Sequence, residues 1–516
     1  MTEALLQGLA NLTPYVLLWM TVGVLVSTVI AIIPGLGGVF AMVLMLPLVY
    51  TLTPEAGLAM LVGAMAVAGT GNTITSVLFG VPGSATGVAT ILDGYPMAKK
   101  GLATRALTAG LTASAVGGVI GAIVLAAILP VMRPLVLSLG SPEFFMMIFA
   151  ALVFMAFVGE GSMLKSLSSG FAGLMLSFVG LEISTATSRF TFGSLYLVDG
   201  VRLVPLFIGL FAVAEMIILL RKGGTIAPEE AESGARSQIT QGFLDVFRHW
   251  RTTLSSGVTG VVVGVAPGLG AAAAQFIAYT QAMKLSKNGK NFGTGEVEGV
   301  IAADAATNSK DGGALVPTLA FGIPGSSAMA LLLAAMIGLG IRPGPSMLTE
   351  NLDLVWMFIF ILVIANVVGA ALCIAFSGLF AKITRVTAST LAPPILIISL
   401  FGAYASSRTL GDVWTAVIAG VIGYGMVRFG YSRATFVIGF VLGILLERHY
   451  LLSMRLYGLD FLRRPVTLGI ALAIVAVIVL PVGARIVRGL RAPKQGERAD
   501  DSAPPGRGDS SVGPVR

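Results

Sequence analysis

Three short motifs stand in the first half of this chain and return, in the same order and at nearly the same spacing, in the second. The first set is Pro34-Gly35-Leu36-Gly37, Asn72-Thr73 and Phe79-Gly80-Val81-Pro82-Gly83-Ser84. The second is Pro267-Gly268-Leu269-Gly270, Thr307-Asn308-Ser309 and Phe321-Gly322-Ile323-Pro324-Gly325-Ser326. All lie in strongly apolar sequence. Proline removes a backbone donor and clashes with the preceding turn, and glycine opens left-handed angles, so each Pro-Gly interrupts a helix that its flanks would continue. Interrupted apolar segments at matching positions of two halves are the sequence pointer to a transporter site made from discontinuous helices.

The surrounding composition fixes the class. Apolar residues make up 56% of the chain and charged residues 11%, against roughly 25% charged in a soluble domain. Runs long enough to cross a bilayer, about 20 residues, recur from Tyr15 onward, among them Leu111–Val131, Met357–Phe376 and Leu468–Val482. They lack the alternation of a membrane barrel, which leaves helices as the way to satisfy the backbone in lipid. The fold class is therefore an all-α polytopic membrane protein of roughly a dozen spans, in two repeated halves with broken or re-entrant helices. The first run, Tyr15–Ile33, has no basic segment before it and reads as a retained span. The stretch 254–283 reads as one span, and 299–340 as more than one crossing or a re-entrant pair.

The organisation that follows is a first half over 1–220, a polar linker over 221–253, a second half over 254–490 and a disordered tail over 491–516. The linker holds too few apolar residues for a core, and the tail is rich in Pro, Gly, Ser and charge. The net charge of +8 collects after the last span and around the linker, as cytoplasmic loops require. The partner it implies is the lipid bilayer rather than nucleic acid.

Residue counts exclude other chemistries. Cys373 is the single cysteine and falls within a span, so no intrachain disulfide or thiolate metal cluster forms; His249 and His449 read as interfacial loop residues. No stretch matches G-x-x-x-x-G-K-[ST], so the chain carries no nucleotide-hydrolysing loop. No metal or organic cofactor is expected, and no nucleophile–base set marks an enzyme. Asp304, Lys310 and Asp311 are the residues that keep an intramembrane enzyme in view.

The motifs themselves suit anion and cation chemistry. Where two half-helices meet, the second leaves unpaired N–H groups at its positive end, attractive to an anion, and the first leaves free carbonyls for a cation. The substrate-binding candidates are accordingly Pro34, Gly35, Gly37, Asn72, Thr73, Pro82, Gly83, Ser84, Pro267, Gly268, Gly270, Asn308, Ser309, Pro324, Gly325 and Ser326. The competing reading of each break is a kink or a small-residue helix contact. Amides and hydroxyls in apolar sequence face a cavity or one another, so Asn72 and Asn308 are also ion-coupling candidates, with Asp304, Lys310 and Asp311. Neutral oxygens would take Na⁺ and an aspartate would take H⁺; both remain open. The bland alternative for Lys310 and Asp311 is that they pair, or lie in an interfacial loop. Asp93-Gly94-Tyr95-Pro96 reads as an interfacial turn.

Taken together, Pro34-Gly35-Leu36-Gly37-Gly38, Leu78–Ser84 leading to Asp93-Gly94-Tyr95-Pro96, Pro267-Gly268-Leu269-Gly270 and Phe321–Ser326 make the chain resemble the large membrane subunit of the tripartite tricarboxylate transporter family. The resemblance covers about residues 10–490. It implies a multi-pass permease of the bacterial inner membrane that takes an organic carboxylate from a periplasmic solute-binding protein. It further implies a small membrane subunit as second partner and a co-transported Na⁺ or H⁺ as the driving ion. An ion- or solute-conducting channel is the alternative class.

Overall fold

A computed structural model describes residues 1–33, 36–84, 86–158, 162–182, 184–222, 236–377 and 388–476. Pro34, Gly35 and the 491–516 tail lie outside the described residues. Residues 1–471 form one compact unit. Of the second, which begins at Leu472, the structure describes only residues 472–476, the end of helix Pro465–Ala476.

The all-α expectation is borne out. Seven helices among the described residues are long and apolar enough to span a membrane, and five shorter apolar helices accompany them. Among the described residues, the β content is a two-residue antiparallel pairing of Gly180–Leu181 with Ser188–Arg189. Burial separates inner from outer helices. The hydropathic window within Pro54–Phe79 is 89% buried, that within Leu410–Phe429 only 28%. On the latter, Leu410, Trp414, Ile418, Val421 and Ile422 are exposed at helical spacing, an apolar stripe suited to lipid.

Each motif breaks the backbone where the sequence requires it. Helix Pro14–Ala31 ends before the first Pro-Gly and Gly37–Val49 begins after it. The stretch expected as one span over 254–283 is two helices, Trp250–Val265 and Gly270–Leu285, because Pro267 and two left-handed glycines, Gly268 and Gly270, separate them. Helix Val297–Phe321 stops at left-handed Gly322, and Ser327–Gly338 starts with Ser326 capping Met329 N–H. The 299–340 reading, more than one crossing or a re-entrant pair, thus resolves into two helices.

Close helix packing rests on small residues. Helix Ala103–Leu137 crosses Val297–Phe321 with Gly117 on the Ala305 carbonyl and Gly121 against Gly312. Trp250–Val265 crosses the same helix through Gly260 and Gly264, which meet the backbone of Ala306 and Lys310. Without a hydrophobic force between helices in lipid, such backbone approach supplies the attraction.

Several local expectations need correcting. Asp93-Gly94-Tyr95-Pro96 is no interfacial turn but part of helix Val88–Met97, with Asp93 wholly buried. Its carboxylate accepts from the Gly293, Gly295 and Glu296 N–H groups (2.8, 2.8 and 2.9 Å) and from Tyr279 Oη at 2.8 Å. These partners, distant in sequence, are what make burial of the charge tolerable. Asp93→Ala leaves those donors unpaired at about 1–3 kcal/mol each; a markedly lower Tm in detergent is expected, and Asp93→Asn should lose less. His449 lies inside helix Arg433–Tyr457 and stacks on Phe144 at 5.2 Å rather than in a loop. His249 sits at the start of Trp250–Val265, its Nδ1 2.8 Å from Glu298 Oε1. Within the 221–253 linker, Arg236–Arg248 is a helix docked on Ala103–Leu137 by Arg105 Nε donating to Asp245 at 2.6 Å. Hydrophobic side chains such as Val246 reach the core from this amphipathic helix, which a polar average conceals.

Candidate functional site

The motifs of each half close on one another. In the first, a Cβ built on Gly37 would stand 3.2 Å from Ser84 Cβ; in the second, Gly268 N–H donates to the Gly325 carbonyl at 3.0 Å. Gly37 has φ +63° and Gly268 φ +86°, angles at which a side chain is strained. The result is a cavity of about 450 Å³ lined from both halves of the chain.

Four helices open onto this cavity with their first turns. Gly37–Val49 contributes Gly37, Gly38 and Val39; Gly270–Leu285 contributes Gly270 and Ala271. Ser327–Gly338 contributes Ser326, Ser327 and Ala328, and Arg433–Tyr457 contributes Ser432 through Thr435. The first N–H groups of a helix have no intrahelical acceptor, and the macrodipole adds about half a positive charge at each such end.

Two ion pairs line the same space. Lys310 pairs with Asp311 on helix Val297–Phe321, and Arg433 donates to Glu215 at 3.0 Å and to the Leu210 carbonyl at 3.1 Å. Lys310 and Asp311 therefore do pair, as the bland reading had it. They do so inside a helix facing the cavity, not in a loop. The formal charges cancel, so the helix ends decide the sign and make it positive. Met155, Phe211 and Ile438 supply apolar wall, and Ser84 and Thr86 hydroxyls complete the lining.

The other candidates sit around this cavity in distinct roles. Asn72 stands one layer behind: its Nδ2 donates to Ser84 Oγ at 2.8 Å and to Thr86 Oγ1. Thr73 Oγ1 donates to Asp304 Oδ1 at 3.0 Å, as does Thr90 at 3.1 Å, so buried Asp304 joins the two halves away from the cavity lining. Asn308 donates to Thr70 Oγ1 and to Asn366 Oδ1, both at 2.7 Å. Ser309 turns its hydroxyl to the Ala306 carbonyl at 3.3 Å. Pro82, Gly83, Pro267 and Pro324 shape the breaks without lining the cavity.

Sequence reasoning passed over Arg433, Glu215, Gln275 and Asn366. Gln275 links the halves, accepting from Gly87 N–H at 2.9 Å and donating to Thr307 Oγ1 at 2.6 Å. The signal existed for Glu215, a carboxylate within the apolar Leu203–Arg221 span, where an unpaired charge is costly. Gln275 and Asn366 carry the weaker signal of an amide in an apolar helix. Arg433, beside its helix cap Ser432, has the pattern of an ordinary interfacial charge.

Helices broken at matching positions, with the N-terminal ends of four of them gathered on one cavity, define a multi-pass α-helical membrane protein of the transporter type. The family model of the tripartite tricarboxylate transporter TctA family matches residues 17–438, and the chain belongs to that family, a membrane component of a tripartite transporter. An uncharacterized 52.8 kDa protein of Agrobacterium vitis, from the TAR-I ttuC′ 3′ region, is 32% identical over 478 residues, 91% of this chain and 94% of that protein. An uncharacterized protein from the TAR-II ttuC′ 3′ region of the same organism is 35% identical over 228 residues, 43% of this chain and 94% of that protein. No solved structure matches.

Proposed function

We propose that this chain is the permease subunit of a secondary active transporter that brings an organic carboxylate of tricarboxylate-like class across the bacterial inner membrane. The observation that carries the reading is the convergence of four helix N-termini, with Lys310 and Arg433, on one cavity. A carboxylate entering there exchanges water for N–H and O–H donors and competes with Asp311 and Glu215 for their cationic partners. A periplasmic solute-binding protein delivers the substrate, and a small membrane subunit completes the assembly; the tripartite character of the family supports both.

Import needs work. Moving one negative charge inward against 100 mV costs about 2.3 kcal/mol, and the chain has no nucleotide-hydrolysing loop. A Na⁺ or H⁺ gradient supplies that work. The test is uptake of labelled citrate and succinate into proteoliposomes containing both membrane subunits, with the binding protein outside and Na⁺ and proton gradients imposed separately. Accumulation above equilibrium under one gradient, collapsed by an ionophore, is the expected result. Equilibration without accumulation would mean a channel, and no uptake under either gradient would overturn the reading.

A further inference from the structure

The helix inside the polar linker, Arg236–Arg248, shows different faces to different surroundings. Gly242, Asp245 and Val246 turn inward: a Cβ on Gly242 would stand 2.4 Å from the Arg105 carbonyl, and Asp245 accepts from Arg105 Nε. Beside that face runs an exposed apolar ridge of Ile239, Phe243 and Phe247, one side chain every fourth residue, with the two phenylalanine rings 5.1 Å apart. The ridge does not end with the helix. Trp250 is exposed at the start of Trp250–Val265, and Leu254, Val258 and Val262 carry the exposed apolar line along that helix.

The same end of the molecule is basic. Gln238 Nε2 donates to the Gly101 carbonyl at 2.9 Å and Lys100 Nζ to the Thr294 carbonyl at 2.7 Å, which gathers the linker helix and the segments around Gly101 and Thr294. Lys99, Arg248, Arg251, Lys284, Lys287 and Lys290 are exposed in these segments and their flanks. The carboxylates among them are withdrawn. Asp93 and Asp245 are buried and hydrogen-bonded, Glu298 is buried against His249 and Thr252, and Glu296 is half-buried. Arg248 comes within 3.7 Å of Asp245 yet keeps 66% of its side chain exposed, and the Arg251 guanidinium lies 5.5 Å from the Trp250 ring.

We propose that helix Arg236–Arg248 lies in the headgroup layer of the bilayer and binds anionic phospholipid, its Ile239–Phe243–Phe247 ridge toward the acyl chains and Arg248 and Arg251 on the phosphates. An amphipathic helix with aromatic and aliphatic residues on one face and bases beside them takes this position, and a tryptophan at its end marks the headgroup level. Charge selects the occupant, because bases around an apolar ridge, with the nearby carboxylates buried, complement phosphate groups. Continuity of the ridge with the exposed line of Trp250–Val265 places both in the same medium. The helix also reaches the cavity's supports: Arg105 ties it to Ala103–Leu137, and His249 at its end meets Glu298 on Val297–Phe321, the helix that carries Lys310. Lipid bound at the ridge therefore steadies two helices behind the cavity, whatever the cavity carries.

The purified full chain in detergent is titrated with phosphatidylglycerol and, in parallel, with phosphatidylcholine, and its Tm is read. Phosphatidylglycerol should raise the parent's Tm well beyond phosphatidylcholine, and less so at high salt. Arg248→Gln/Arg251→Gln should need about 30-fold more phosphatidylglycerol for half the gain, the worth of two bases near an anionic surface. Arg248→Lys/Arg251→Lys, which keeps the charge, should respond as the parent does. A parent that gains no more from phosphatidylglycerol than from phosphatidylcholine, a glutamine variant that matches the parent, or an equal gain from glycerol phosphate alone would overturn the site. Phe243→Trp in vesicles of equal parts phosphatidylcholine and phosphatidylglycerol gives a readout independent of Tm. Its added fluorescence should be quenched by bromine carried high on the acyl chains; unquenched emission would mean that a protein partner or a second copy covers the ridge, and the lipid assignment would fall.

Discussion

Lys310→Gln is expected to lower carboxylate uptake at sub-saturating substrate by about 10–150-fold, the equivalent of one charge-assisted hydrogen bond at about 1.5–3 kcal/mol. Lys310 lines the cavity from the middle of helix Val297–Phe321, held by Asp311 beside it. Loss of the ammonium removes a donor to the substrate and leaves the Asp311 carboxylate buried without its partner. The second effect could lower protein level by itself, so the double variant Lys310→Gln/Asp311→Asn separates the two. It should recover expression and Tm while uptake stays low. Uptake by the double variant at the parent's rate would remove Lys310 from the site.

Gly312→Val is expected to abolish folded protein. A Cβ at this position would come within 2.6 Å of Gly121 Cα and closer still to the Gly121 carbonyl. Backbone has no rotamer to yield, so the two helices must part along their whole crossing. Overpacking costs typically about 1–3 kcal/mol where side chains adjust; where they cannot, the cost exceeds that range. The measurement is the fraction of protein extracted in detergent that elutes as a symmetric peak in size-exclusion chromatography, expected near zero. Gly425→Val is the matched control. It lies on Leu410–Phe429, where an added Cβ meets nothing within 4 Å, and its profile should match the parent's. Normal elution of the Gly312 variant would show that the helix crossing tolerates separation.

Much of the architecture was legible because its causes are local. Hydropathy marks a helix wherever about 20 apolar residues run together, and Pro-Gly breaks a helix through its own φ angle and missing donor, whatever surrounds it. The breaks at Gly268–Gly270 and Gly322–Ser326 therefore fall where the motifs stand. Asp93 shows the limit. Its sequence reads as a turn, and only the arrival of Gly293, Gly295, Glu296 and Tyr279 from the other half makes it a buried anchor.

The candidate site divides along the same line. Ser84, Gly270 and Ser326 were recognisable from their motifs, and all three line the cavity. Glu215 carries a signal as a carboxylate in an apolar span, but Arg433 is unremarkable until two distant helices place the pair 3.0 Å apart. The matched asparagines differ for the same reason. Asn72 and Asn308 look equivalent in the sequence, but their helices run on for different lengths before the following break, Thr70–Phe79 ending at Gly80 and Val297–Phe321 at Gly322. Asn72 accordingly meets Ser84 and Thr86 just past its break, and Asn308 meets Thr70 and Asn366. Sequence alone determined the membrane class, the repeat and the positions of the breaks, since hydropathy and backbone stereochemistry act within a few residues. Tertiary structure decided which polar groups meet, because a buried amide or charge takes its role from the partners that packing brings within hydrogen-bond reach.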